Sequence, residues 1–204
     1  REVHNLTEDQ ELQNKVWQQM RLVEYLNQMP ITQLMYEHVE ADDLIAYVLQ
    51  LGYYDDWQKV VVSSDKDFFQ VLDGDTVLYR PTQGQALNVH RILNEYGIHP
   101  NNFALARAMV GDKSDNLPGV RGVGLTTIKK RFPFLAEEKP YKIKDIIDHC
   151  KKNTDNAKAF QRILENKATV RENYRLMQLG VPNISASSKR KIVKTIQNMD
   201  LSVN

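Results

Sequence analysis

Cysteine is almost missing from this sequence: Cys150 stands alone among 204 residues. One thiol cannot close an internal disulfide, which excludes the disulfide-stapled secreted folds and points to a reducing, cytoplasmic setting. Long apolar runs are missing too. No stretch approaches the roughly 18 consecutive apolar residues that a membrane span needs, so no membrane is expected among the partners. Nine Gly and seven Pro are too few for a collagen-like or linker-like chain. The chain opens on Arg1, with neither Met nor the apolar stretch of a signal peptide, and reads as a cut chain. Internal repeats and low-complexity segments are absent as well.

What is present suits a globular protein with a real core, in one domain or two small ones: 42% of residues are apolar and 26% charged. The net charge of +1 conceals an asymmetry. Residues 1–100 carry 7 Lys/Arg against 16 Asp/Glu, whereas residues 101–204 carry 20 against 10. Both halves could simply be solvated faces. The sharper reading is a first half that collects carboxylates for cations and a second half that meets polyanions.

Hydrophobic spacing predicts a helix from Thr7 to Met29, an extended stretch over Ile31–Val39, and a helix over Glu40–Leu51 ended by Gly52. Val60-Val61-Val62 has the β-branched run of a buried parallel strand. A helix is expected after Asp67 and a second strand over Thr76–Tyr79. This strand–helix–strand alternation argues for an α/β core. Beyond Tyr79 no strand is evident; helices are expected over 89–96, 102–110, 125–132, 143–151, 156–179 with a break near Asn166, and 187–199. The boundary is drawn near Gly111. The fold class expected is therefore α/β, a partial parallel-sheet core over residues 1–110 followed by an all-helical region over 111–204.

The acids sit at chain reversals. Glu40, Asp42 and Asp43 open a helix; Asp65 and Asp67 follow the Val60–Val62 strand; Asp112 and Asp115 follow Gly111. Ligand crevices in parallel α/β sheets lie beyond the carboxyl ends of strands. Carboxylates converging there raise one another's pKa unless cations join them, and hard ions such as Mg²⁺ take such oxygen ligands. Each cluster also has a structural explanation, since Asp and Glu cap helices and complement the helix dipole. Three independent caps in these positions are less economical than one shared site.

A second signal is Pro118-Gly119-Val120-Arg121-Gly122-Val123-Gly124, leading into a helix with Thr126, Thr127, Lys129, Lys130 and Arg131. Glycines let backbone amides approach a phosphate, and the basic helix favours contact with a phosphodiester backbone over base reading. The glycine order is not that of a dinucleotide fold, and no Gly-Lys-Ser/Thr follows as a P-loop requires. A plain glycine-rich turn is the competing reading.

Together these stretches resemble the flap endonuclease and 5′-3′ exonuclease family, particularly the phage enzymes and the 5′-nuclease domains of bacterial DNA polymerases I. The resemblance runs through Val39-Glu40-Ala41-Asp42-Asp43, Ser64-Asp65-Lys66-Asp67, Gly111-Asp112-Lys113-Ser114-Asp115-Asn116-Leu117-Pro118-Gly119-Val120 and Gly122-Val123-Gly124, in order, between Thr7 and Met177. It implies an α/β nuclease core and a helical region holding a helix–hairpin–helix element. It also implies a divalent-metal-dependent, structure-specific 5′ nuclease that hydrolyses phosphodiesters at flaps, nicks or RNA–DNA primers.

Glu40 and Asp42 look like ligands of a first Mg²⁺ or Mn²⁺, with Asp43 beside them. Asp65, Asp67 and Asp112 look like ligands of a second, supported by Asp115. Glu40, Asp42, Asp65, Asp67 and Asp112 are the catalytic set. The hairpin with Gly119, Arg121, Gly122 and Gly124 looks like the family's duplex clamp, where backbone carbonyls hold K⁺, flanked by Thr126, Lys129 and Lys130. Family members begin with an Asp-bearing strand and a basic arch; neither precedes Arg1. The resemblance thus implies a half-supplied first metal site, hence a fragment or a chain that works with a separate N-terminal piece. Alternatives are a non-catalytic binder of branched DNA and, less closely, an RNA-directed nuclease of the PIN-like kind. Partners expected are branched or nicked DNA, RNA–DNA hybrids and replication proteins, for a monomer in bacterial or phage-infected cytoplasm. The five His residues and Cys150 are read as structural.

Overall fold

The computed structural model describes residues 6–180 and 183–198. Its contacts divide the chain into two compact units, Arg1–Val39 with Ser185–Asn204, and Glu40–Ile184. The change of character at Gly111 falls inside the second unit, because one hydrophobic core continues from Val61 through Val120, Val123 and Ile128 to Val170.

The first unit contains helix α1 (Glu8–Leu26) and helix α9 (Ala186–Gln197). Thr7 and Gln10 form a reciprocal capping box that starts α1. No residue of α1 is buried, and Leu12, Val16, Trp17 and Met20 are exposed. The stretch 31–39 is not a strand: Gln33 folds back to donate to Val23 O and Asn27 Oδ1, and the Tyr36 hydroxyl pairs with Thr195 Oγ1 at 2.7 Å. Backbone held by such side-chain bonds is turned, not laddered. The expected end of α9 at Met199 lies outside the described residues.

The second unit opens with α2 (Ala41–Leu49) and a three-stranded sheet in the order β1 (Lys59–Val62), β2 (Thr76–Arg80), β3 (Gln85–Leu87). β1 and β2 are parallel, with Val61 opposite Leu78; β2 and β3 are antiparallel. The sheet is therefore mixed, not parallel throughout. β3 escaped sequence reading because it is three residues long, and Gly84 turns the chain into it at φ 58°. β1 is not buried on both faces: Val61 is 6% exposed, but Val60 and Val62 are 56% and 64% exposed. The stretch after β1 is a 3₁₀ turn (Asp67–Val71) that buries Phe68 and Phe69.

Among the described residues, the α-helices that complete the unit are α3 (Val89–Tyr96), α4 (Phe103–Val110), α5 (Leu125–Arg131), α6 (Ile143–Lys152), α7 (Lys158–Glu165) and α8 (Lys167–Met177). Among the described residues, no helix is long and apolar enough to cross a membrane. Phe69, Phe103 and Phe132 are among the largest fully buried side chains.

Two stretches of main chain pack tightly against each other at the end of α4. Gly111 takes φ 79°, and a Cβ there would stand 2.3 Å from Gly119 N. A Cβ on Gly119 would stand 1.7 Å from Val110 O. Only two glycines let these backbones touch. Asp112 and Leu117 then exchange backbone hydrogen bonds of 2.9 and 2.7 Å, and Val120 N–H donates to Met109 O. From α8, the buried Asn173 donates to Ala108 O and Pro118 O, fixing both ends of the loop. This closure sets where Asp112 and Asp115 point.

Candidate metal centre and basic groove

Two groups of carboxylates converge within the second unit. Oxygens of Asp67, Asp112 and Asp115 lie within 4.8 Å of one another, as do oxygens of Glu40, Asp42 and Asp43. The first group joins residues 45 and 48 positions apart in sequence, delivered by the turn after β1 and the loop after α4. Asp65 lies just ahead of it, exposed, with Oδ1 accepting the Asp67 N–H at 2.8 Å. One carboxylate therefore shapes the turn that presents the other.

Sequence reading missed the residue between them. Arg107 donates from Nε to Asp67 Oδ1 at 3.2 Å and from Nη2 to Asp112 Oδ2. Its side chain is only 12% exposed. The signal was available: Arg107 is the one charged residue in Phe103–Val110, an otherwise apolar helix, and a buried guanidinium requires acceptors. Burial works to lower the Arg107 pKa, but the charge of Asp67 and the hydrogen bond to Asp112 outweigh it, so its pKa is raised. Burial pushes the Asp67 carboxyl up, and repulsion from Asp65 and Asp112 adds to this against the pull of Arg107. Asp112 behaves oppositely. The Ser114 hydroxyl above all, together with the Ser114 N–H and Arg107, holds its carboxyl down to about 2.

The other group is local. Glu40 is the N-cap of α2 yet its side chain makes no capping bond, so capping does not consume it. Asp42 Oδ1 accepts the Asp43 N–H at 2.8 Å. Asp43 is buried, and its Oδ1 accepts from Gly180 N–H at 2.9 Å and Asn183 Nδ2 at 3.0 Å. Asp43 thus ties α2 to a segment 137 residues away.

These donor sets fit hard divalent cations: three carboxylates each, with a guanidinium already drawn to Asp67 and Asp112. Asp67 Oδ2 and the exposed Asp115 carboxylate are left outside the hydrogen bonds that engage Asp67 Oδ1 and Asp112.

A family description of a 5′-3′ exonuclease N-terminal resolvase-like domain matches residues 8–97. The 5′-3′ exonuclease of Buchnera aphidicola subsp. Schizaphis graminum is 30% identical over 201 residues, covering 91% of this chain and 67% of that protein. The chain belongs to the 5′-3′ exonuclease family. The Aquifex aeolicus 5′-3′ exonuclease is 33% identical over 88 residues, 43% of this chain and 30% of that protein. Thermostable DNA polymerase I of Thermus aquaticus is 34% identical over 91 residues, 45% of this chain, and the match spans only 11% of the polymerase. The fold is that of the T5 D15 protein co-crystallised with metal ions, at TM-score 0.74 and 19% identity, over 98% of this chain and 74% of that one.

The residues expected to contact DNA divide differently from the family resemblance. Gly119 is required by the packing on α4, and Gly124 is the N-cap of α5 with open space where a Cβ would stand. Gly122 takes φ 76° beneath Arg162, whose Nη1 would be 2.6 Å from a Cβ there and donates to Arg121 O at 3.1 Å. Lys129 turns away from the groove: its stem packs on Gly97, and its Nζ donates to Asn94 O and Glu95 O, capping α3. Thr126 and Lys130 line a groove of about 390 Å³ with Lys158 and Arg162 of α7.

Proposed function

We propose that this family member is a structure-specific 5′ nuclease acting on branched or nicked DNA with two divalent ions, Mg²⁺ or Mn²⁺. The observation that carries the reading is the convergence of Asp67, Asp112 and Asp115 from distant positions, two of them paired with the half-buried Arg107. In this reading Asp67, Asp112 and Asp115 hold one ion, with Asp65 shaping the approach. Glu40 and Asp42 contribute to the other, while Asp43 positions the start of α2. Bound divalent ions would supply an activated water and neutralise charge on the scissile phosphate. Arg107 keeps Asp67 and Asp112 aligned, so that their oxygens need little rearrangement. The segment 111–124 with its flanking helices serves as a helix–hairpin–helix that takes duplex backbone, with K⁺ on its carbonyls, and residues 111–204 form the helical DNA-binding region. RNA–DNA primers are a further substrate, and replication proteins are partners of the monomer. The T5 D15 flap endonuclease, whose fold this chain shares at 17% identity and TM-score 0.69, is known in a pseudo-enzyme–product complex with DNA and metal ions, which supports the substrate class.

Cleavage of a labelled 5′-flap duplex with Mg²⁺ and with EDTA tests this. Any cutting by the wild-type chain should require metal, and Asp67→Asn and Asp112→Asn should each lower that rate by roughly a hundredfold. Undiminished cutting by both variants removes the metal role. Duplex binding without any cutting by the wild type would instead support the non-catalytic binder.

A further inference from the structure

We propose that the cavity beside the turn Pro100–Asn102 binds an arginine side chain of a partner polypeptide, with Glu138 and Asp73 receiving the guanidinium and His99 donating to the arginine's own main-chain carbonyl. The site shares no residue with the carboxylate groups or the basic groove, and it stands independently of the nuclease reading. The cavity holds about 360 Å³, within the range that takes small organic groups. Its lining includes the carboxylates of Asp73 and Glu138 and the imidazoles of His90 and His99, but no lysine or arginine. Such a lining attracts a cation and repels a phosphodiester. Asp73 is partly engaged, since its Oδ1 accepts the Asp75 N–H at 2.9 Å. Glu138 is not: among the described residues its exposed carboxylate accepts no hydrogen bond and joins no ion pair.

His99 is the anchor. It is only 9% exposed, and its ring Nδ1 accepts the Asn101 N–H at 3.3 Å. Burial pushes the imidazole pKa down against the charge of Glu138, so the ring is neutral near pH 7. A neutral ring that accepts at Nδ1 carries its one proton on Nε2. Among the described residues nothing accepts that proton, and His99 lines the cavity, so the Nε2–H is left for a ligand. A buried donor without a partner is destabilising, and a carbonyl oxygen placed against it removes the penalty. The walls are held before anything binds. The His99 N–H donates to Leu135 O, and Asn102 Nδ2 donates to Leu135 O, Glu137 O and Lys139 O. Asn101 Nδ2 adds a bond to Glu138 O at 2.7 Å, fixing the main chain behind that carboxylate. A buried donor beside carboxylates disfavours simpler ligands. A metal ion would need the Nε2 lone pair that the proton occupies, and among the described residues the acids and imidazoles of this cavity do not converge closely enough to share one. An alkyl polyamine would satisfy the carboxylates and leave His99 unpaired. A peptide arginine offers a planar fork to a carboxylate together with a carbonyl oxygen a few bonds away.

Titration of the full chain in EDTA with N-acetyl-L-arginine N-methylamide tests the site, read through the imidazole nitrogen and proton resonances of His99. The Nε2–H signal should shift on binding. The uncharged citrulline analogue should bind roughly tenfold more weakly, and so should agmatine, which has the guanidinium without the carbonyl. Glu138→Gln loses no contact within the fold, so it should keep the melting temperature and weaken the arginine compound roughly tenfold. His99→Asn keeps an acceptor for the Asn101 N–H but removes the donor on Nε2. It should erase the difference between the arginine compound and agmatine. The absence of any shift at His99, equal binding of the citrulline analogue, or an unchanged affinity in Glu138→Gln overturns the proposal. Tighter binding of acetate than of the arginine compound also overturns it, in favour of an anion site at the start of α3, which the cavity meets through Asn88.

Discussion

The two carboxylate groups solve the same electrostatic problem by different means. Glu40, Asp42 and Asp43 are neighbours at one helix start, where their repulsion is eased by solvent at Glu40 and by donors from Gly180 and Asn183 at Asp43. Asp67, Asp112 and Asp115 are gathered from two separate loops, and there the fold provides its own cation, Arg107, to Asp67 and Asp112. A site assembled across the chain confines charge that a local cluster can leave to water. It therefore needs a built-in countercharge to fold before any ion arrives.

The largest expected effect falls on the distant group through its scaffold. Gly119→Ala drives a methyl into the Val110 carbonyl, and should destabilise the protein by roughly 4 kcal/mol in chemical denaturation, among the most severe single substitutions. Divalent binding at Asp112 should fall with it. Next comes Arg107→Met, which leaves Asp67 and Asp112 uncompensated and should cost roughly 3 kcal/mol without divalent ions. Added Mn²⁺ should raise the melting temperature of this variant more than that of the wild type. An equal rise in both would show that Arg107 does not stand in for a cation.

The local group should respond more weakly. Asp43→Ala orphans the Gly180 N–H and Asn183 amide and should cost roughly 2 kcal/mol, whereas Asp43→Asn keeps an acceptor and should cost less. Glu40→Gln, with no capping bond to lose, should stay within about 0.5 kcal/mol of wild type by the same measurement. Equal costs for Glu40→Gln and Asp43→Ala would erase the division of labour inside that group.

Much of this was legible in the residues themselves. The acids and glycines lie at element boundaries, and most helices and both longer strands follow their hydrophobic spacing. What could not be read was pairing at a distance. Arg107 looks like a stray charge until Asp67 and Asp112 are brought to it, and nothing near Asp43 in the sequence announces the donors that Gly180 and Asn183 bring to its Oδ1. Lys129 and Lys130 are adjacent in sequence, yet the 100° step of a helix sends one to α3 and the other to the groove. The exposed faces of Val60 and Val62 were unreadable for a different reason: a β-branched triplet states strand preference, not how many neighbours cover it.

The contact between Gly111 and Gly119 has one more consequence. Because the main chain closes on itself there, the seven residues from Asp112 to Pro118 form a cassette whose two ends are locked together. Length and composition inside such a cassette can vary outward into solvent without turning α4 against α5. The exposed side chains at 113–115 can therefore be altered by substitution while Asp112, held by Arg107 of α4, and the helices behind it keep their places.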